Sequence, residues 1–445
     1  MGSEQKKGVR PHLFHENKWG LTPFFCPQLT SDLNSMTNYY DSLETRDPAE
    51  RARDLIGQVA AQVAHAKSAA AAYAKRFADL DVDNIDSGTA IARLPVTRKS
   101  ELLTLQRETP PFGGFAASGS DIAYIFASPG PIYEPGTRRS DFWRFARTLF
   151  AAGFRRGDLI QNCFSYHLTP AGAMVDSGAH ALGCTVIPAG VGQTELQVQT
   201  IGDLKPNGYV GTPSFLKIIL EKADEMGVDV TSISKALVSG EALPAPLRDN
   251  FSGRGIDVYQ CYATADLGVI AYETEAREGL VVDEGIYLEI VRPGSGEPVA
   301  DGEVGEVVVT SLNPDYPLIR FATGDLSAIL PGTSPCGRTN HRIKGWMGRA
   351  DQTAKVRGMF IHPEQVNKVI KRHPEIARAR LVVEWIDKSD SMKLRCEVDR
   401  GDAQLAAAIG ESIRDVCKVR GEIEFVSVGS LPNDGKVIDD IRSYD

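Results

Sequence analysis

Short apolar runs alternate with helical stretches from residue 158 onward, and this alternation constrains the fold more than any other feature of the chain. Strand candidates and helical segments alternate at 158–164, 171–183, 184–190, 194–205, 207–213 and 214–227, and residues 235–243 start another unit. Repeats of this length predict a mainly parallel sheet covered by helices. Ligands on such sheets bind at the carboxyl ends of strands, so the binding segments are expected in the loops at 188–195, 211–215, 239–244 and 262–268.

The pattern changes after about residue 280. Residues 284–291, 302–312 and 326–332 are typical of antiparallel strands, with turn residues between them. A last unit of helix and strand patterns is long enough for a small α+β domain. The predicted fold class is therefore α/β, with a large N-terminal domain, residues 1–350, of doubly wound, mainly parallel sheets plus a small β subdomain. A C-terminal α+β domain, residues 351–445, follows it.

Two helices are predicted before the alternating region. Residues 49–77 are rich in alanine and amphipathic, which favours one long helix. Residues 141–154 place Phe142, Phe145 and Leu149 on one helical face. The first of these helices also offers a surface for a homodimer contact.

The composition is that of an ordinary globular protein and excludes several classes of partner. The chain has 445 residues and a formal net charge of −9 without a long basic run, which argues against nucleic acid or an anionic membrane surface as main partner. No stretch reaches the roughly 20 apolar residues of a membrane span, and the N-terminus lacks the apolar segment of a signal peptide. The seven cysteines are scattered and contain no CxxC motif, so reduced thiols in the cytoplasm are the simplest interpretation.

Five segments carry residue types that suit a nucleotide site: Ser239–Leu243, Tyr262–Gly268, Tyr316–Asp325, Gly348–Gly358 and Leu431–Lys436. A glycine lets backbone groups approach a flat ring closely. An aspartate suits a ribose because its carboxylate only accepts hydrogen bonds. Each segment also has a plainer interpretation as a turn, a packed tyrosine, a hairpin with solvated charges or a surface lysine.

In this order the segments resemble those of the phenylacetate–CoA ligase branch of the adenylate-forming superfamily, from about residue 95 to the C-terminus. The resemblance implies that ATP, with Mg²⁺, converts a small carboxylic acid to an acyl-adenylate, and that coenzyme A then takes the acyl group. It also implies a mobile C-terminal domain that rotates between the two half-reactions.

The resemblance assigns a role to individual residues of the five segments. Gly240, Glu241 and Ala242 would pass along the adenine, and Tyr262, followed by Ala263 and Thr264, would stack on it. Asp266, where the family has a glutamate, would help to hold Mg²⁺. Asp325 would accept hydrogen bonds from the ribose, Arg349 would contact ribose or phosphate, Asp351 would be the hinge, and Lys436 would be the catalytic cation during adenylation.

The segment that matches the family's phosphate loop departs from its pattern. Residues 127–136 keep Ser128 and Gly130 as candidate nucleotide contacts but lack the threonine pair and the lysine. Three prolines in this segment have no N–H to donate, and Glu134 brings a carboxyl group toward the phosphates. Arg138 and Arg139 are candidates to replace the missing positive charge. These changes leave open whether the chain uses ATP or only binds nucleotide.

Residues 162–167 match the place where the family lines its acyl pocket. Phe164, Tyr166 and His167 would form that pocket for an aromatic acid, although a core strand with a polar end explains the segment equally well. The family often carries a structural zinc, but Cys336 alone cannot form a tetrahedral site, so we expect no zinc. Two alternatives stay open: an adenylating enzyme with another acceptor, and a non-catalytic nucleotide-binding homologue.

Overall fold

The computed structural model describes residues 38–442, apart from residues 83, 129–131, 294, 351–353, 358, 362, 387–388 and 433–435. The helices are α1 Pro48–Ala69, α2 Ala71–Arg76, α3 Gly88–Ala92, α4 Lys99–Glu108, α5 Phe145–Ala151, α6 Ala171–Leu182, α7 Thr194–Leu204, α8 Pro213–Met226, α9 Ala245–Gly253, α10 Pro363–Lys371 and α11 Ala403–Cys417.

The strands of the large N-terminal domain are β1 Thr97–Arg98, β2 Ile122–Ser128, β3 Ile132–Thr137, β4 Leu159–Asn162, β5 Thr185–Pro188, β6 Gly208–Gly211, β7 Lys235–Val238, β8 Asp257–Thr264, β9 Gly268–Tyr272, β10 Leu280–Val282, β11 Ile286–Val291, β12 Gly305–Ser311, β13 Phe321–Ser327, β14 Ile329–Leu330 and β15 Arg342–Ile343. Those of the smaller C-terminal domain are β16 Ala354–Val356, β17 Met359–Ile361, β18 Arg378–Ile386, β19 Ser389–Glu397, β20 Glu422–Val426 and β21 Ile438–Asp440.

The largest sheet has nine strands in the order β14-β15-β10-β9-β8-β7-β6-β4-β5. Its β5, β4, β6, β7 and β8 are parallel, as the strand–helix alternation predicts. Helix α8 illustrates why the local sequence folds this way. The Thr212 hydroxyl caps its N-terminus, Pro213 opens its first turn and Gly227 ends it in the left-handed region.

A second sheet forms the predicted β subdomain, with four strands in the order β1-β13-β12-β11. Its three long strands are antiparallel neighbours, and short β1 pairs in parallel with β13. This pairing carries the start of α4, at Lys99, to the side of β13. The second sheet therefore brings residues from distant parts of the chain to the strand that carries Asp325.

Both helices predicted before the alternating region are shorter than expected. The helix predicted over 49–77 breaks at Ala70, because the N–H of Ala72 bonds the carbonyl of Gly114 across the structure instead of continuing the helix. The helix predicted over 141–154 begins only at Phe145, since Arg144 before it has a left-handed backbone (φ 66°). The carboxylate of Asp141 accepts the N–H of Ala146 instead.

The C-terminal domain has its own sheet, β20-β19-β18-β21, and its own hydrophobic core. Helices α10 and α11 pack on one another and contribute Val366, Val369, Ile409 and Ile413 to that core. The predicted hairpin is β18 and β19. The domain boundary at residue 351 lies outside the described residues and stays a prediction. No helix in the described part of the chain is long and apolar enough to cross a bilayer.

Candidate active site

A buried carboxylate at the meeting point of the two sheets organises the candidate nucleotide site. Asp325 Oδ2 accepts a hydrogen bond from the phenol of Tyr262 at 2.7 Å. Asp325 Oδ1 lies 3.1 Å from the indole Nε1 of Trp346 and 3.3 Å from Nη1 of Arg349, both of which donate to it. The backbones of Asp325 and Arg349 also form an isolated β-bridge. Three of the residues predicted to hold nucleotide, Tyr262, Asp325 and Arg349, are thus brought into direct contact.

Tyr262 is fixed in a position that keeps its phenol protonated. Its oxygen lies 3.2 Å from the hydroxyl of Thr323 as well as 2.7 Å from Asp325. Burial raises the pKa of Tyr262 well above its usual value, and the charge of Asp325 raises it further. The phenol therefore acts as a hydrogen-bond donor that orients the Asp325 carboxylate.

The loop at Ser239–Pro244 follows β7, beside the end of β8 in the same parallel sheet. Gly240 has a left-handed backbone (φ 82°), which allows the chain to turn sharply out of the strand. Ser239 is buried and donates to the carbonyl of Cys261, whereas Glu241 and Ala242 are exposed. Glu241 accepts from the N–H of Ser214 in the first turn of α8, at 3.3 Å. The three loop residues predicted to face adenine thus lie at the carboxyl edge of the sheet.

Asp266 lies in the turn that joins β8 to β9 and is almost completely buried. Its Oδ2 is 2.7 Å from Nζ of Lys99, at the start of α4. Its Oδ1 has no hydrogen-bond partner in the described structure. A buried carboxylate oxygen without a partner is costly unless an additional group satisfies it. Asp266 therefore retains one oxygen that is available to a hard cation.

Glu134, on β3, is buried rather than directed into solvent at the phosphate loop. Its Oε1 accepts from the hydroxyl of Ser128 at 2.6 Å. Burial, and then the charge of Asp266, raise the pKa of Glu134 to about 8. The sequence suggests a negative charge near the phosphates, but the raised pKa of Glu134 favours the neutral form of this carboxyl. Ser128, predicted as a nucleotide contact, is likewise buried and engaged with Glu134.

Lys436 is held in the C-terminal domain beside an acidic neighbour. Its Nζ lies 3.1 Å from Asp439 Oδ1. Two adjacent residues before it are held by hydrogen bonds. The N–H of Leu431 donates to Glu397 at 2.7 Å, and Arg380 donates to the carbonyl of Pro432 at 3.0 Å. These contacts fix the chain at Leu431 and Pro432, shortly before the predicted catalytic cation.

Comparisons with known proteins identify the family of the chain. The model of the AMP-binding enzyme family matches residues 168–313, and that of the AMP-binding enzyme C-terminal domain matches residues 358–440. The phenylacetate-coenzyme A ligase of Aromatoleum evansii is 33% identical over 76% of this chain and 79% of its own. That of Escherichia coli (strain K12) is 30% identical over 84% of this chain and 90% of its own. The chain belongs to the phenylacetate–CoA ligase family of AMP-binding enzymes.

A solved member of the wider fold supports the same assignment. The open conformation of 2-hydroxyisobutyryl-CoA ligase, in complex with 2-HIB-AMP and CoA, has a TM-score of 0.69 and 26% identity. The match covers 89% of this chain and 93% of that one. The α/β fold with a large N-terminal and a smaller C-terminal domain, predicted from the sequence, is confirmed.

The predicted acyl-pocket residues of this family member have different surroundings from one another. Phe164 is half-buried and packs against the main core. Tyr166 accepts from Asn162 and donates to Asp176, both at 2.8 Å, and its ring lies so close to Gly172 that a Cβ there would come within 2.8 Å. His167 is exposed. The acyl-pocket role of these residues stays a prediction, as do the roles of Gly130 and Asp351, which lie outside the described residues.

The arginines predicted to replace the loop lysine are both engaged by carboxylates. Arg138 lies 3.3 Å from Asp121 in an exposed pair, and Arg139 lies 2.8 Å from Asp315. Lys99, which lies in none of the predicted site segments, is instead the cation that contacts Asp266. Its only signal in sequence was its place at the start of a helix after a short apolar run, which is common to many surface lysines.

The loop that contains Cys336 is held by charged side chains. Arg338 and Glu44 are both almost completely buried and 3.2 Å apart, and Cys336 Sγ lies 3.0 Å from the hydroxyl of Ser334. No group of three or more cysteine, histidine or acidic residues that could hold a metal occurs within the part of the chain described by the structure.

Asp266 fits Mg²⁺ without such a group of protein ligands. This ion usually takes one or two protein carboxylates and completes its shell with substrate phosphates and water.

Proposed function

We propose that the protein is an AMP-forming acid–CoA ligase, which activates a carboxylic acid with ATP and transfers the acyl group to coenzyme A. The observation that carries the proposal is the contact of Tyr262 and Arg349 with the buried Asp325 at the carboxyl edge of the sheet. The names of the curated relatives support the reaction, and the complex of 2-hydroxyisobutyryl-CoA ligase with an acyl-AMP and CoA supports the two-step order.

Asp325 accepts hydrogen bonds from the ribose hydroxyls of the nucleotide. A carboxylate suits this role because it accepts from both members of a cis-diol. Tyr262 donates to Asp325 Oδ2 and keeps the carboxylate in place. The exposed loop at Gly240–Ala242 provides the backbone surface along the adenine.

In the first half-reaction, a carboxylate oxygen of the acid attacks the α-phosphorus of ATP, and pyrophosphate leaves. Lys436 neutralises the negative charge that accumulates on the α-phosphate as the bond forms. A lysine suits this step because its flexible stem lets a compact charge enter and leave the site. Asp266, oriented by Lys99, would hold the Mg²⁺ that supplies charge neutralisation at the phosphates when it is bound.

In the second half-reaction, the thiol of coenzyme A loses its proton to solvent and its sulfur attacks the acyl carbon of the adenylate. The thioester forms, and AMP leaves with the bonding electrons of the acyl–oxygen bond. Rotation of the C-terminal domain about Asp351 withdraws Lys436 and opens the approach for the thiol.

The acid of this proposal is aromatic, because the curated relatives are named for phenylacetate. Its ring would lie near Phe164, Tyr166 and His167. A cytoplasmic location and a homodimer complete the proposal.

Pyrophosphate release from ATP, measured with a panel of aromatic and aliphatic acids, tests the proposal. We expect release that depends on one class of acid and a thioester product when coenzyme A is added. Adenylate formation with transfer to an amine or a carrier protein, but not to coenzyme A, would identify a different acceptor. AMP binding without pyrophosphate release for any acid would identify a non-catalytic nucleotide-binding protein.

A further inference from the structure

The indole of Trp346 lies at the candidate ribose carboxylate while most of its ring faces solvent. Trp346 precedes Arg349 in the segment after β15, and 57% of its surface is exposed. Its Nε1 donates to Asp325 Oδ1 at 3.1 Å. The indole N–H is a donor only, so this exposed ring commits its one polar atom to a buried carboxylate.

The hydrogen bonds of Asp325 leave little room for a ribose. A carboxylate offers roughly four acceptor positions. Tyr262 uses one on Oδ2, and Trp346 and Arg349 use two on Oδ1. A ribose cis-diol requires two positions, so that at least one of the three protein donors has to release the carboxylate when both hydroxyls bind.

Trp346 is the donor that costs least to displace. The Tyr262 side chain is partly buried, and without Asp325 its phenol would exchange a 2.7 Å charge-assisted hydrogen bond for the longer, neutral 3.2 Å contact with Thr323. Arg349 is charged, and charge-assisted hydrogen bonds are about twice as strong as neutral ones. The indole N–H is neutral, and once displaced it reaches solvent, where water replaces the lost acceptor.

We propose that Trp346 is a nucleotide-responsive residue that occupies one ribose acceptor of Asp325 and yields it to a ribose hydroxyl. The inference rests on the proposed nucleotide-binding function and extends it to a residue outside the segments that resemble the family's motifs. It has two consequences. The indole environment changes on binding, and the indole N–H competes with the ligand's second hydroxyl but not with a ligand that has only one.

The test compares AMP and 2′-deoxy-AMP binding to the wild type and to Trp346→Phe by isothermal titration calorimetry. The variant keeps an aromatic ring but removes the competing donor. We expect it to bind AMP about fivefold more tightly, the equivalent of one neutral hydrogen bond, and to bind 2′-deoxy-AMP as the wild type does. The position is exposed, so the variant is expected to fold, which a thermal melt checks.

Intrinsic fluorescence provides a second readout. The chain has four tryptophans, Trp19, Trp143, Trp346 and Trp385. Saturating AMP should shift the emission of the wild type, and most of that shift should be missing from Trp346→Phe. Unchanged AMP affinity together with an equal emission shift in both proteins would overturn the inference and leave the proposed function intact. Absence of AMP binding to both folded proteins would instead refute the proposed function, and this inference with it.

Discussion

Lys436, just before β21, and Asp439, on β21, form an ion pair in the C-terminal domain, with 3.1 Å between Nζ and Oδ1. Arg380 lies on the other side of the same acid, 3.6 Å from its Oδ2, and donates to the backbone of Pro432 in the loop before Lys436. The predicted catalytic cation is therefore supported by its own domain and has an acidic partner there. During adenylation it has to exchange this partner for the α-phosphate.

Removal of the lysine should separate the two half-reactions. Lys436→Ala is expected to reduce acyl-adenylate formation by more than about a hundredfold, because the charge on the α-phosphate is no longer neutralised. Thioester formation from a supplied acyl-adenylate should survive, since that step does not use the lysine. Pyrophosphate release and thioester formation are measured separately. An equal loss of both half-reactions would contradict the assigned role.

Removal of the acidic partner should act in the opposite direction. Asp439→Asn eliminates a competitor for the Lys436 ammonium without changing the size of the side chain. Partly exposed ion pairs contribute up to about 1 kcal/mol, so adenylation should become faster by up to about fivefold. Thioester formation from a supplied adenylate is the internal control and should not change. A slower adenylation would show that Asp439 positions the lysine rather than competes for it.

Loss of Lys99 should destabilise the protein, because it leaves the buried Asp266 carboxylate without its cation. The side chain of Lys99 is partly exposed, whereas that of Asp266 is almost fully buried. We therefore expect Lys99→Ala to lower the free energy of unfolding by about 1–3 kcal/mol, which denaturant titrations measure. The double variant Lys99→Ala/Asp266→Asn should recover much of that loss. Lys217→Ala, which breaks an exposed helical pair, is the matched control and should change stability little.

The parallel sheet was predictable because its signal is local. Strands β4–β8 and the helices between them follow from short apolar runs and helical periodicity, and the motif order placed Tyr262, Asp325 and Arg349 in one site by resemblance. The break at Ala70 was not predictable, since it depends on a hydrogen bond from Ala72 to the distant Gly114. The contacts of Lys99 with Asp266 and of Trp346 with Asp325 were missed for the same reason: neither partner's local sequence records a pairing that forms only after the two sheets assemble.

Asp141 should make the stability of the protein depend on pH in a defined direction. Burial raises the pKa of Asp141 to about 7, and Asp283 adds to the rise despite the hydrogen bond from the N–H of Ala146. The usual value is about 3.9, so between about pH 4 and 7 the folded state binds more protons at this site than the unfolded state does. The contribution of this carboxyl to the free energy of unfolding therefore falls as pH rises through that window and stays low above it.

Asp141→Asn removes this titration. The free energy of unfolding of the variant minus that of the wild type should rise between pH 4.5 and 7.5, with an upper bound of about 4 kcal/mol, because one pKa unit corresponds to about 1.4 kcal/mol. An asparagine accepts fewer hydrogen bonds from α5 than a carboxylate does, which shifts the difference by a constant but leaves its slope unchanged. A flat difference for Asp141→Asn would show that the folded protein holds this carboxylate ionised as readily as water does.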